Sequence, residues 1–279
     1  MDEKTYIDGM LTRTRLFIDE ESIQKVRNTT VAIAGMGGVG SITVDLLARW
    51  GVKKFRLLDM DKYEPTNLNR QLLATSTTLG QNKVEVAAER IKAINPHAEV
   101  EKVVIEMVNN TNARPFLDGC GVVIQTADRP SAKLLYLAAR DCKIPLVNGH
   151  ATVTGGRIQV FDYRKSECET ALERLWQNIK LKGGKPITEM NPEEVQEYDK
   201  NFVHPMAPSL NFVTNMVGCW IVAEAIKVLT GKGKVAHYPK YLDFDTFELS
   251  MRLRNSLSPI DPINIKRVSG LVKSKLGKG

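Results

Sequence analysis

Thr30-Val31-Ala32-Ile33-Ala34-Gly35-Met36-Gly37-Gly38-Val39-Gly40 is the stretch whose reading decides the fold. A short apolar run without polar alternation, broken abruptly by glycines, reads as a buried strand entering a tight turn. Residues 41–49 follow with Ile42, Val44, Leu46 and Leu47 at helical spacing, and residues 53–58 read as a second strand that ends at Asp59. Gly35, Gly37 and Gly40 satisfy G-x-G-x-x-G. In a strand–loop–helix of this kind one glycine allows the turn, another lets a phosphate approach, and the third lets helix and strand pack. The helix N-terminus then offers unpaired amides to an anion, and Asp59 is placed to accept hydrogen bonds from a ribose. At this point a dinucleotide-dependent oxidoreductase fits as well as any other nucleotide-binding enzyme.

The same alternation runs on. Residues 82–94 form an amphipathic helix stopped at Asn95-Pro96; 100–105 read as a strand, 112–117 as a short helix, 121–125 as a buried strand, 131–140 as a helix and 144–147 as a strand. Strands alternating with helices predict an α/β fold, a Rossmann-like, mostly parallel sheet covered on both faces. The texture changes at Gly155: residues 157–161 alternate like a half-exposed strand, and 241–244 with 249–253 read as a strand pair joined near Asp245-Thr246, so antiparallel strands extend the sheet in the C-terminal half. Residues 208–229 predict a long buried helix. Residues 1–28 predict a helical approach, 180–205 a polar surface loop or acceptor-site excursion, and 256–279 a basic, solvated tail. The whole is expected to be a single domain over residues 1–255.

Composition narrows the class. The 279 residues are 43% hydrophobic and 25% charged, ordinary values for a globular protein, and the net charge is +7. No apolar run of membrane-spanning length stands out and the N-terminus has no secretory pattern, so a cytoplasmic protein with no membrane partner is expected. Cys120, Cys142, Cys168 and Cys219 make no CxxC pair; a disulfide framework and structural zinc are not indicated, and most are expected to be core thiols. The tail lacks the aromatic interleaving of a nucleic-acid site.

Chemistry is discriminated after Asp59. Asp59-Met60-Asp61 leads to Asn67-Leu68-Asn69-Arg70-Gln71, and Lys83 opens the next helix. A nicotinamide needs apolar room for its ring. Two cations directed at the nucleotide pocket suit a triphosphate, because attack at the α-phosphate builds charge on the equatorial oxygens and the departing pyrophosphate.

These motifs, with Gly80-Gln81-Asn82-Lys83, Thr126-Ala127-Asp128, Val147-Asn148-Gly149, Gly156-Arg157-Ile158-Gln159-Val160-Phe161 and Met206-Ala207-Pro208, make the chain resemble the family of ThiF, MoeB and the ubiquitin-activating enzymes over roughly residues 10–255. The resemblance implies an ATP-dependent adenylyltransferase that uses Mg²⁺ and acts on a carboxylate, either a carrier-protein C-terminus or a small molecule in cofactor biosynthesis. Gly35, Gly37, Gly38, Gly40, Asp59 and Asp61 would bind the nucleotide, with Asp59 on the ribose. Asn67 would position phosphate, Arg70 and Lys83 would grip the triphosphate, and Asp128 would position Mg²⁺ or the reacting phosphate. Arg15, or else Arg13, would enter the neighbouring subunit's site in a homodimer. Gln71 receives no direct role.

The chain departs from zinc-containing relatives. Where they carry CxxC it keeps only Cys168, with Ala171 three residues on, and no cysteine follows Leu253. Zinc is therefore not expected. Cys168 alone lies in a polar stretch where a reactive thiol would fit, while Cys219 falls on the apolar helix. His150 and His204 either shape an acceptor pocket or are structural. Three further readings stay open: activation of a carboxylate on a modified tRNA nucleoside, an inactive scaffold subunit, and an NAD-dependent oxidoreductase.

Overall fold

The computed structural model describes residues 1–165, 187–201, 208–258 and 260–261. Cys168, Ala171, His204, Met206 and Ala207 lie outside the described residues, as do 180–186, 202–205 and 262–279.

Alternation of side chains along the first strand sets the layers. In β1 (Thr30–Ala34), Val31 and Ile33 point to one face and Ala32 and Ala34 to the other, and all four are buried. A strand buried on both sides belongs in the middle of a covered sheet. β1 pairs in parallel with β2 (Lys54–Leu58) on one side and β4 (Val122–Gln125) on the other; β3 (Glu99–Val104) and β5 (Pro145–Ala151) continue the parallel part outward. β6 (Gly155–Asp162), β7 (Lys240–Asp245) and β8 (Ser250–Asn255) add antiparallel. Among the described residues the sheet has eight strands in the order β3-β2-β1-β4-β5-β6-β7-β8. The expected mixed α/β architecture is therefore the observed one. Its order reverses direction between β1 and β4, and that switch point leaves a crevice beyond the strands' C-terminal ends.

One face is covered by α3 (Gly38–Arg49), α4 (Lys83–Ile94) and the last described helix, here α8 (Asn211–Thr230). The other carries α5 (Ala113–Leu117) and α6 (Lys133–Asp141), with Phe116, Leu117, Leu134 and Leu135 in its core. The approach segment folds as α1 (Glu3–Leu11) and α2 (Glu20–Asn28) around a 3-10 turn, Thr14–Leu16.

α8 is long and apolar enough to cross a bilayer, so a run of that length does exist in the chain. Its burial explains the composition. The helix lies between α3 and strands β5 and β6, and Val217 and Ile221 seat against Gly156 and Gly149. A side chain at either glycine would meet them at 2.2 and 2.6 Å, well inside contact distance. The buried stripe runs through Val213, Val217, Ile221 and Ala225. Cys219 falls opposite that stripe and is exposed, so it is not a core thiol; of the described cysteines Cys120 alone is buried.

Two boundaries also move. Within the stretch expected to be a surface loop, Ile187–Glu189 forms a 3-10 turn and α7 (Pro192–Asn201) a helix. Val195 and Asp199, one helical turn apart on the same side, are both fully buried. The tail begins later than residue 256: Asp261 is buried and its carboxylate accepts the Tyr241 hydroxyl at 2.9 and 3.0 Å.

Candidate active site

The first wall of the crevice is the glycine loop. Gly35 holds φ +91°, in the region that favours glycine, and a Cβ there would lie 2.6 Å from the Ala127 backbone nitrogen. Gly40 packs beneath it: a Cβ would sit 1.8 Å from the Gly35 carbonyl oxygen. Thr126 locks the contact by donating its hydroxyl to the carbonyls of Gly35 at 2.8 Å and Ala34 at 3.0 Å. Gly37, by contrast, faces open space, with nothing closer than the Gln71 amide at 3.9 Å. The loop is thus closed on its under-side and open where a phosphate would come, at the start of α3.

Asp59 ends β2. Its Oδ2 accepts the Met36 amide at 2.5 Å and its Oδ1 the Asp61 amide at 2.8 Å. Burial pushes the carboxyl pKa up, and the Lys83 charge and these two amides partly offset that push. Lys83 opens α4 with a buried side chain; its Nζ lies 3.0 Å from Asp61 Oδ2 and 6.0 Å from the centre of the Tyr63 ring. A buried ammonium needs such a partner, and Asp61 provides it from the more exposed side.

The loop carrying Asn67, Arg70 and Gln71 is held at three points. Asn67 Oδ1 accepts the Glu64 amide at 3.1 Å, closing a capping box over the turn Pro65–Asn67. Ser41 Oγ accepts the Leu72 amide at 3.1 Å, and the Thr214 hydroxyl donates to the Arg70 carbonyl at 3.4 Å. Arg70 is steadied by the Thr66 carbonyl at 2.7 Å and Asn69 Oδ1 at 2.9 Å. Gln71 is buried, and its Oε1 has no hydrogen-bond partner among the described residues. An orphan acceptor at a cavity wall costs about 1–3 kcal/mol and marks a place prepared for a donor.

At the end of β4, Gln125 accepts from Asn148 Nδ2 at 2.8 Å and donates to the Ala127 carbonyl at 2.7 Å, fixing the turn that brings Asp128 to the rim. His150, on β5, is open to water at the mouth yet walled by protein; burial and then the Arg157 charge lower its pKa, against the pull of Asp243. Arg157 pairs with Asp243 at 3.0 Å and Arg254 with the same carboxylate at 2.7 Å.

Gly35, Gly37, Gly38, Asp59, Asp61, Asn67, Arg70, Lys83 and Asp128 all line one cavity of about 400 Å³, together with Gln71, His150 and Thr214. Two expected residues stand outside it. Gly40 supports the loop from below. Arg15 is held by Asp8 at 2.8 Å and by Glu20 at 2.8 Å, away from its own chain's cavity, with Leu16 and Phe17 beside it 86% and 89% exposed. Sequence reasoning missed Gln71, although it adjoins Arg70 in the same motif, because only the fold shows its oxygen unpaired. Thr126 stands in the Thr126-Ala127-Asp128 motif but receives no role there, and Ser41 carries no sequence signal that separates it from any small polar residue.

The cavity carries groups that a nucleoside triphosphate calls for: an open side of the glycine loop at Gly37, the carboxylate of Asp59, and two cations, Arg70 and Lys83. Among the described residues no group of three or more His, Cys, Asp or Glu side chains could hold a metal. Magnesium fits a single carboxylate, since it keeps several waters and takes phosphate oxygens as ligands.

The profile described as the ThiF family matches residues 11–260. The tRNA threonylcarbamoyladenosine dehydratase of Bacillus subtilis is 34% identical over 178 residues, covering 62% of this chain and 69% of that protein. The molybdopterin-synthase adenylyltransferase of Escherichia coli is 30% identical over 220 residues, 78% of this chain and 80% of the relative. Among solved structures, Escherichia coli MccB with ATP superposes with a TM-score of 0.66 at 21% identity, over 84% of this chain and 65% of that one. At that identity the likeness is one of fold.

Proposed function

Because the chain belongs to the ThiF family, we propose that it is an ATP-dependent adenylyltransferase that activates a carboxylate. The observation that carries this reading is that Arg70 and the buried Lys83 line the same cavity as the open side of the glycine loop. In the proposed reaction an acceptor carboxylate oxygen bonds to the α-phosphorus, the bond from that phosphorus to the bridging oxygen breaks, and pyrophosphate leaves. No protein base is needed, because a carboxylate is already ionised near neutral pH. Asp59 would accept the ribose hydroxyls, the α3 amides would face phosphate, and Arg70 and Lys83 would neutralise the charge that builds on the leaving side. Lys83 spends one N–H on Asp61 at 3.0 Å and would have the others for a phosphate, so the ion pair would hold the ammonium in place for the nucleotide. Magnesium, held by Asp128, would supply further neutralisation of phosphate charge.

The acceptor is a carrier-protein C-terminus or a small molecule. A second reading, a carboxylate on a modified tRNA nucleoside, is favoured by the dehydratase relative, whose identity of 34% exceeds the 30% of the molybdopterin-synthase adenylyltransferase. The enzyme would be cytoplasmic and a homodimer, with Arg15 serving the neighbouring subunit; exposed Leu16 and Phe17 beside it fit an interface. ATP–pyrophosphate exchange with peptide, small-molecule and tRNA-linked carboxylates, followed by mass detection of the adenylate, tests the proposal. Exchange with none of them, together with tight nicotinamide binding, would restore the oxidoreductase reading.

A further inference from the structure

Asp199 is a fully buried carboxylate on a segment with a polar sequence, and its contacts lead to the cavity rim. Its Oδ1 accepts the Ser131 amide at 3.1 Å and its Oδ2 the Ser131 hydroxyl at 2.5 Å, while Arg129 donates to the Asp199 carbonyl at 3.4 Å. Arg129 and Ser131 line the cavity on either side of Pro130, next to Asp128. The need for such a partner is local. Residue 129 precedes the turn Pro130–Ala132 without making a side-chain cap, and Pro130 has no N–H, so Ser131 carries the first amide of the turn. Asp199 caps it from another element.

The segment is fastened at its other end as well. Asn110 donates to the Ile187 carbonyl at 3.0 Å and to that of Met190, close to Glu106, Met107 and Val108 on the opposite wall of the cavity. Residues 187–201 therefore tie the wall that follows β3 to the wall that follows β4. Fastening a helix to the domain does not call for a buried charge, since a well-packed apolar pair serves as well or better. A carboxylate that accepts two bonds from one serine fixes the backbone of the turn in a way an apolar contact cannot.

We propose that Asp199 is a positioning residue of the nucleotide site, holding the turn 128–131 so that Asp128 presents its carboxylate to the cavity. This rests on the adenylation reading of that cavity. The expected signature is specific to the metal-dependent part of nucleotide binding, as for other residues that orient a metal-binding group from behind.

Calorimetric titration of the full chain with ATP, with MgCl₂ and separately with EDTA, tests it. Asp199→Ala should weaken binding in MgCl₂ about tenfold, the usual cost of losing an orienting partner, and leave metal-free binding unchanged. Asp199→Asn should restore it, because the amide oxygen still accepts the Ser131 N–H and the serine hydroxyl can turn to accept from the amide. If Asp199→Ala does not fold, Ser131→Ala carries the test with the same sign and a smaller loss. Asp199→Ala with a lowered melting temperature but wild-type binding in both titrations would overturn the inference alone. A wild-type chain that binds no ATP in MgCl₂ would overturn the adenylation reading and this inference with it.

Discussion

The parallel part of the sheet, β3 to β5, and its antiparallel extension, β6 to β8, are built from similar strands but answer different demands. In the parallel part the central strands are buried on both faces, and the loops leaving β1, β2 and β4 all open toward one crevice. In the extension one face is packed by α8, and the other carries charged pairs such as Arg157 with Asp243. Its last strand leaves Met251 and Leu253 about half exposed, at 52% and 58%, and Leu249 beyond the strand at 93%. The difference is one of tolerance. Where loops converge on a nucleotide, each backbone position is fixed by several others; along the free edge, a side chain answers to little but solvent.

Four substitutions can break or sharpen that contrast. Lys83→Ala should lower ATP–pyrophosphate exchange by about 10²–10³, the range for removing one charge-stabilising group; a loss of less than threefold would remove Lys83 from the reaction. Ile221→Ala, where α8 covers Gly149, should cost about 3 kcal/mol in urea unfolding, and an unchanged midpoint would mean that α8 does not hold the two parts together. Gln71→Leu should weaken ATP binding about tenfold while raising thermal stability, because the unpaired oxygen is removed along with its use. A fall in stability would mean that Gln71 is structural. Met251→Thr on the edge strand should change stability by no more than about 0.5 kcal/mol and leave exchange as it is; a larger shift would show that the edge is constrained like the crevice.

Much of the parallel part was legible in the residue order because strand, glycine loop, helix and acid are contiguous in the chain. The spacing from Gly35 to Asp59 to Lys83 carries both fold and site, and nine residues singled out from sequence line the cavity. What could not be read depends on elements distant in sequence. The unpaired state of Gln71 Oε1 is a property of what fails to reach it. Asp199 meets Ser131 across sixty-eight residues, and its neighbours read as a loop because Glu193, Glu194, Glu197 and Lys200 dominate the composition. Cys219 was misread for a simpler reason: an apolar helix hides which narrow strip of it faces outward.

The position of α8 near the end of the chain has a consequence for the order in which the molecule comes to exist. During synthesis the glycine loop, its acid and its cations are all made before residue 211, yet the face formed by Val31, Ile33, Val122, Ile124 and Val147 is completed only by Val217 and Ile221. Until those residues leave the ribosome the part of that face which α3 and α4 do not cover stays open, and a nascent chain in that state is exposed to aggregation. The nucleotide floor is thus complete in sequence long before it is stable in space.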